Sequence, residues 1–193
     1  MTYCGSIVRT SVLVLAAAAS VWISGAPLAR AASGYPTDGA TVVVRYRETL
    51  GEIGESDGGP SLTVYGNGRA VAHWPAYMQR AGDYDVQLSR REMDSLVGSL
   101  AANGVLDVDT VAVRRAAREA KAAKRAAGAP ITIVSDPAVI TIELTTDQGR
   151  RAVRWVGLRE DAREHPDIAA IQSLHAARQD LVGVMDHAYG AHK

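Results

Sequence analysis

The sequence predicts an α+β fold: an antiparallel sheet of about six or seven strands, built from two hairpin-plus-helix units, with its helices packed on one face. Three observations carry this. Short segments alternate apolar and polar residues and are punctuated by Asn67-Gly68 and Asp147-Gln148-Gly149. A helix-start signature at Leu88 to Met93 opens a stretch with apolar residues three and four apart. The second half of the chain then repeats the order of the first. Composition agrees, because 47% hydrophobic and 22% charged residues in a chain of 193 are the proportions of a folded protein with a core. A disordered chain, a collagen-like repeat and a disulfide-dense miniprotein are excluded. Lys plus Arg balance Asp plus Glu at 21 each, so no long-range field draws the chain to nucleic acid.

The first 31 residues read as a cleaved secretory signal. Arg9 precedes an apolar run, Val12 to Ile23, and Ala29-Arg30-Ala31 supplies small residues at the positions a signal peptidase needs. Twelve strongly apolar residues are fewer than the roughly 20 of a spanning helix, so no membrane span is expected after cleavage. Cys4 precedes the apolar run, which argues against lipoprotein processing. The leader carries two of the 21 basic residues, Arg9 and Arg30, and none of the 21 acidic ones, so its loss leaves a formal charge of −2. It also removes the one cysteine, and stability then rests on a core without disulfides. Alanine, arginine, valine and glycine are abundant, and with the form of the signal they suggest a bacterial protein of the periplasm or culture medium.

Residues 32–40 are turn-formers and are expected to be a flexible mature N-terminus, followed by one domain over 41–190. Thr41 to Thr49 alternates, with Val42, Val44 and Tyr46 on one side and Val43, Arg45 and Arg47 on the other. Gly51 to Pro60 reads as a loop. Ser61 to Trp74 is a hairpin turning at Asn67-Gly68, a pair that accepts positive φ at both central positions. Asp83 to Leu88 alternates again. Ser89 and Glu92 then form a capping box, with Leu88 and Met93 as a hydrophobic staple. Met93, Leu96, Val97 and Leu100 give the resulting helix, over 90–102, its buried stripe. Residues 108–127 predict a second, basic and Ala-rich helix, with Val113, Ala116, Ala117, Ala120, Ala123 and Ala127 as a small-residue face that packs lightly. Strands follow over 131–134 and 138–146, and a returning strand over 150–157. A last helix over 167–189 opens at Pro166, with Ile168, Ile171, Leu174, Leu181, Val182 and Met185 inward. Arg-Ala-Val recurs at 69–71 and 151–153, ahead of Trp74 and Trp155, which suggests a duplicated unit.

Chemistry is sparse. Gly54-Glu55-Ser56-Asp57-Gly58 fits G-x-S-x-G, but a strand rather than a helix follows it, so nothing would orient the serine. The five histidines form no close pair at ligand spacing; His175 and His187, twelve residues apart, are rotated by about 120° around a helix. No catalytic, cofactor-binding or metal-ligating set is assigned, and no cofactor is expected. His73, Trp74, Tyr77 and Arg80 gather aromatic and basic groups at one hairpin end, the residue types that dominate binding hot spots. Arg114, Arg115, Arg118, Lys121, Lys124 and Arg125 against Glu119 alone give the second helix a basic face suited to an anionic envelope component.

The stretch Leu62 to Arg69, with its Tyr65-Gly66-Asn67-Gly68 turn, and the capped helix after Leu88-Ser89 resemble exported bacterial proteins of unknown function that carry a Y-G-[DN]-G hairpin followed by a capped helix. The likeness covers residues 61–104, implies an α+β domain and carries no site residue. The expected function is a non-catalytic envelope or secreted binding module, an inhibitor being one such module, whose partner is a protein or an anionic envelope component. The alternatives are a periplasmic hydrolase whose acid and base, for example two of Glu48, Glu52 and Asp57, converge only in the fold, and an envelope structural protein held by the basic helix. Nothing in the sequence fixes an oligomeric state.

Overall fold

A computed structural model describes residues 34–49, 58–129 and 135–193; the expected leader and the expected strand at 131–134 lie outside the described residues. Six strands, β1 (Val42–Thr49), β2 (Ser61–Tyr65), β3 (Arg69–Trp74), β4 (Gly82–Gln87), β5 (Val139–Thr146) and β6 (Gly149–Val156), form one sheet in the order β4-β3-β2-β1-β5-β6. Every neighbouring pair is antiparallel. Among the described residues four helices accompany it: α1 (Arg90–Ala102), α2 (Thr110–Ala126), α3 (Leu158–Glu164) and α4 (Ala169–Ala191). The α+β class and the strand number are those the sequence predicts; α3 is additional.

Strand alternation sorts the sheet into two faces. Ala72, Leu62, Tyr46, Ile142 and Val153 lie in one cross-strand row, all buried, on the face covered by α1 and α4. Met93, Leu96, Val97 and Leu100 of α1 and Ile171, Leu174, Leu181 and Met185 of α4 close this core. Full burial of each large side chain here is worth about 1.5–3 kcal/mol. The other face is polar, with Arg45 beside Glu143 at 3.7 Å and His73 beside Asp83 at 2.6 Å. Val43 departs from the expected alternation. The register against β2 shifts between Val42 and Val44, and Val43 is buried together with Val44.

Both hairpin turns use one positive-φ residue rather than two. The β2–β3 connection is three residues long: the Gly68 N–H donates to Tyr65 O at 2.9 Å, and Gly68 alone has positive φ, at 89°. A side chain there would also strike Leu88 O, because Leu88 N–H donates back to Gly68 O. The segment expected to be loose carries ties in its described part. Tyr35 is buried and its hydroxyl donates to Asp94 Oδ1 at 2.8 Å, while the Asp147 amide donates to Gly34 O. Burial first, then that hydrogen bond, pushes the Tyr35 phenol up to about 12.

Helix α1 has the capping box the sequence predicts, with Ser89 Oγ accepting from the Glu92 amide and Glu92 Oε2 accepting from Ser89 N–H. Helix α4 opens at Ala169 rather than at the expected 167, because the chain leaving α3 turns over residues 165–168 with Ile168 N–H donating to His165 O. It runs through Gly190, which was expected to end it. The Arg-Ala-Val triplets are not equivalent positions: Ala70 is buried on β3, whereas Ala152 is exposed on β6 and its neighbour Val153 is buried. The one-residue Trp offset is that difference in phase, since Trp74 and Trp155 both point inward.

Candidate functional site

Trp74 ends β3 on the inner face, and the chain then makes two tight turns, closed by Met78 N–H to Pro75 O and Ala81 N–H to Met78 O, before β4 begins. The turns leave a hollow of about 510 Å³ lined by Trp74, Tyr77, Met78, Gln79 and Arg80. Tyr77 stands 59% exposed at its mouth. The Arg80 guanidinium lies over both the Trp74 ring, at 5.5 Å, and the Tyr189 ring, at 5.1 Å, and is ion-paired with Asp186 of α4. Three of the four expected residues therefore meet at one place. His73 does not join them. One position before Trp74 on the strand, it faces the opposite side of the sheet, where its ring pairs with Asp83. Trp74 is 7% exposed and its Nε1 is buried with no hydrogen-bond partner. An orphaned buried N–H costs about 1–3 kcal/mol, so an acceptor brought there would be repaid.

The basic helix divides into two halves. Arg114, Lys121 and Lys124 turn toward the domain: Arg114 donates to Arg154 O and lies 5.3 Å over the Trp155 ring, Lys121 reaches Glu164 at 3.6 Å, and Lys124 donates to Glu164 O. Arg115, Arg118 and Arg125 are exposed. The small-residue face is correspondingly narrower than expected. Val113, Ala117 and Ala120 turn inward, while Ala116, Ala123 and Ala127 are exposed. The sequence showed the charge but not its division, because long aliphatic stems let a cation serve as packing.

Glu48 is a site the sequence named for another reason. It ends the inner-face series Val44-Tyr46-Glu48, and Gly59 approaches so closely that a Cβ there would lie 1.9 Å from Glu48 O. Its carboxylate accepts from the Tyr46 hydroxyl at 2.6 Å and from Arg178 at 2.7 and 3.2 Å, with Arg159 at 3.4 Å. Burial pushes the Glu48 carboxyl up, but the Tyr46 and Arg178 hydrogen bonds and the two guanidinium charges outweigh it and hold it below the usual range. Burial, then the Glu48 charge, raises the Tyr46 phenol. Arg178 is held above its ordinary value despite burial, by Tyr46 and Glu48. His175, one turn before Arg178, is lowered by burial and by Arg178, Arg159 and Arg163. A carboxylate so firmly ionised and so fully hydrogen-bonded is an anchor for α3 and α4 rather than a proton carrier. Glu52, Asp57 and residues 54–57 of the G-x-S-x-G stretch lie outside the described residues.

Helix α3 brings together a group the sequence reading missed: Asp161, Glu164 and His165 offer ligand atoms all within 4.8 Å of one another. The signal is present in the sequence as D-x-x-E-H, but it acquires meaning only on a helix. Among the described residues no helix is long and apolar enough to cross a membrane. Comparison with protein-family models, curated proteins and solved structures returns no match.

Proposed function

We propose that this chain is an exported, non-catalytic binding module, and that the hollow beside Trp74, Tyr77 and Arg80 is its recognition surface. The observation that carries the reading is the hollow itself, about 510 Å³ and lined by Trp74, Tyr77, Met78, Gln79 and Arg80, with Tyr77 largely exposed. One side of the hollow is held in place: Arg80 lies over two rings and is ion-paired with Asp186, so this side chain has little entropy left to lose on binding. An apolar or aromatic group suits it. Export rests on the N-terminal signal. The hydrolase alternative loses support at Glu48, whose hydrogen bonds are committed internally.

The test is affinity capture from the envelope of the source cells with the wild-type protein, Tyr77→Ala and a triple Arg115, Arg118, Arg125→Gln variant. A partner retained by the wild type and the triple variant but lost with Tyr77→Ala supports the hollow. Loss confined to the triple variant would transfer the function to α2, and sedimentation with anionic vesicles would identify that case.

A further inference from the structure

We propose that Asp161, Glu164 and His165 form a binding site for a divalent transition cation of the zinc class. Helical spacing creates the site. Residues three and four apart fall on one side of α3, and the last of them, His165, lies just past the helix, where the chain has begun to turn. Two carboxylate oxygens and one imidazole nitrogen are a donor set that zinc accepts, three protein ligands leaving a further position for water.

The imidazole is the decisive member. His165 is 1% exposed, and its Nδ1 is buried with no hydrogen-bond partner. A histidine buried only as packing normally finds a carbonyl or water for its polar edge, whereas a metal ligand must keep one nitrogen free. The surroundings of the other two ligands fit as well. Asp161 uses Oδ2 to accept from Trp155 Nε1 at 2.8 Å, which orients its carboxylate as the outer hydrogen bonds of metal-binding carboxylates do. The backbone is fixed by Gln172, whose side-chain amide donates to both Ala162 O and His165 O. Ligand atoms around a tetrahedral zinc with bonds of about 2.1 Å are about 3.4 Å apart, so the side chains must close from within 4.8 Å by rotation.

Without a cation, the Lys121 ammonium, 3.6 Å from Glu164 Oε2, balances the charge. Lys121 and zinc would then compete for Glu164. This competition gives the test a signature that an adventitious surface metal would lack. Isothermal titration of the purified protein with zinc, with the visible spectrum of the cobalt-substituted form as a second readout, should show one equivalent bound. Glu164→Gln, which keeps the size and shape of the parent side chain, should leave the metal-free melting temperature near that of the parent and weaken zinc binding by about tenfold or more. Lys121→Gln should bind zinc more tightly than the parent. Zinc that does not bind, that binds Glu164→Gln as well as the parent, or that binds Lys121→Gln no more tightly overturns the proposal. The test does not touch the hollow at Trp74, so the two readings stand or fall separately.

Discussion

At the scale of single residues, Glu48 shows how an acidic side chain comes to lie in a core. Its position is set by alternation: two residues after Tyr46 it must face inward, and the chain supplies Arg178 and Arg159 to meet it. Removing one partner of such a buried pair leaves the other charge desolvated and costs about 3–5 kcal/mol, far more than an exposed ion pair contributes. We expect Glu48→Gln to lower stability by about 3 kcal/mol in urea unfolding, with Arg178→Met comparable, and the double variant to cost clearly less than the sum. Strict additivity would show that the two groups are not coupled. The sequence placed Glu48 on a strand and named it as a candidate acid; what it could not show was the partner 130 residues away that removes its proton-carrying role.

At the scale of elements, α1 and α2 are stabilised by different forces. Helix α1 is specified locally, by its capping box and apolar stripe, and is tied to α4 by Ser99 donating to Asp180 at 2.6 Å. Helix α2 buries only Ala117 and is held by three cations reaching β6 and α3. An Ala face contributes little area, so these cations carry a large share of its attachment. Lys124→Ala should therefore raise amide hydrogen exchange across the C-terminal half of α2 while leaving α1 protected, and Arg118→Ala should change neither. Equal effects of the two substitutions would contradict the division of the basic residues into inward and outward sets. Arg114 also meets the outer edge of the sheet at Arg154 O, and His192 Nε2 lies 2.8 Å from Asp85 O on the opposite edge strand, so both edges are blunted by a side chain from a helix or its end.

At the scale of the whole molecule, the pH dependence of stability follows from two groups, His175 and Glu48, that both feel the Arg159 and Arg178 guanidinium charges of α3 and α4. His175 is lowered from its ordinary value near 6.5, so the unfolded chain takes up its proton at higher pH than the folded one, and stability falls as pH drops through 6.5. Glu48 is lowered as well, so its contribution is fully present above the usual carboxylate range and is lost as pH falls through its depressed folded value. Both effects have the same sign. The melting temperature should be higher at about pH 7.5 than at about pH 5.5, and His175→Gln should narrow that difference. A protein equally stable at both values, or more stable at the lower, would contradict the environment assigned to His175. The sheet order sets this geometry, because placing β1 between β2 and β5 brings Glu48 under α3 and α4 together.

The sequence by itself determined the α+β class, both hairpins and α1, because these depend on contacts within a few residues: alternation, turn glycines and a cap. Tertiary structure alone decided which cations of α2 face inward and that Glu48 is an anchor. Those outcomes turn on pairings 40 to 130 residues apart, between side chains whose local sequence is compatible with either surface or interior.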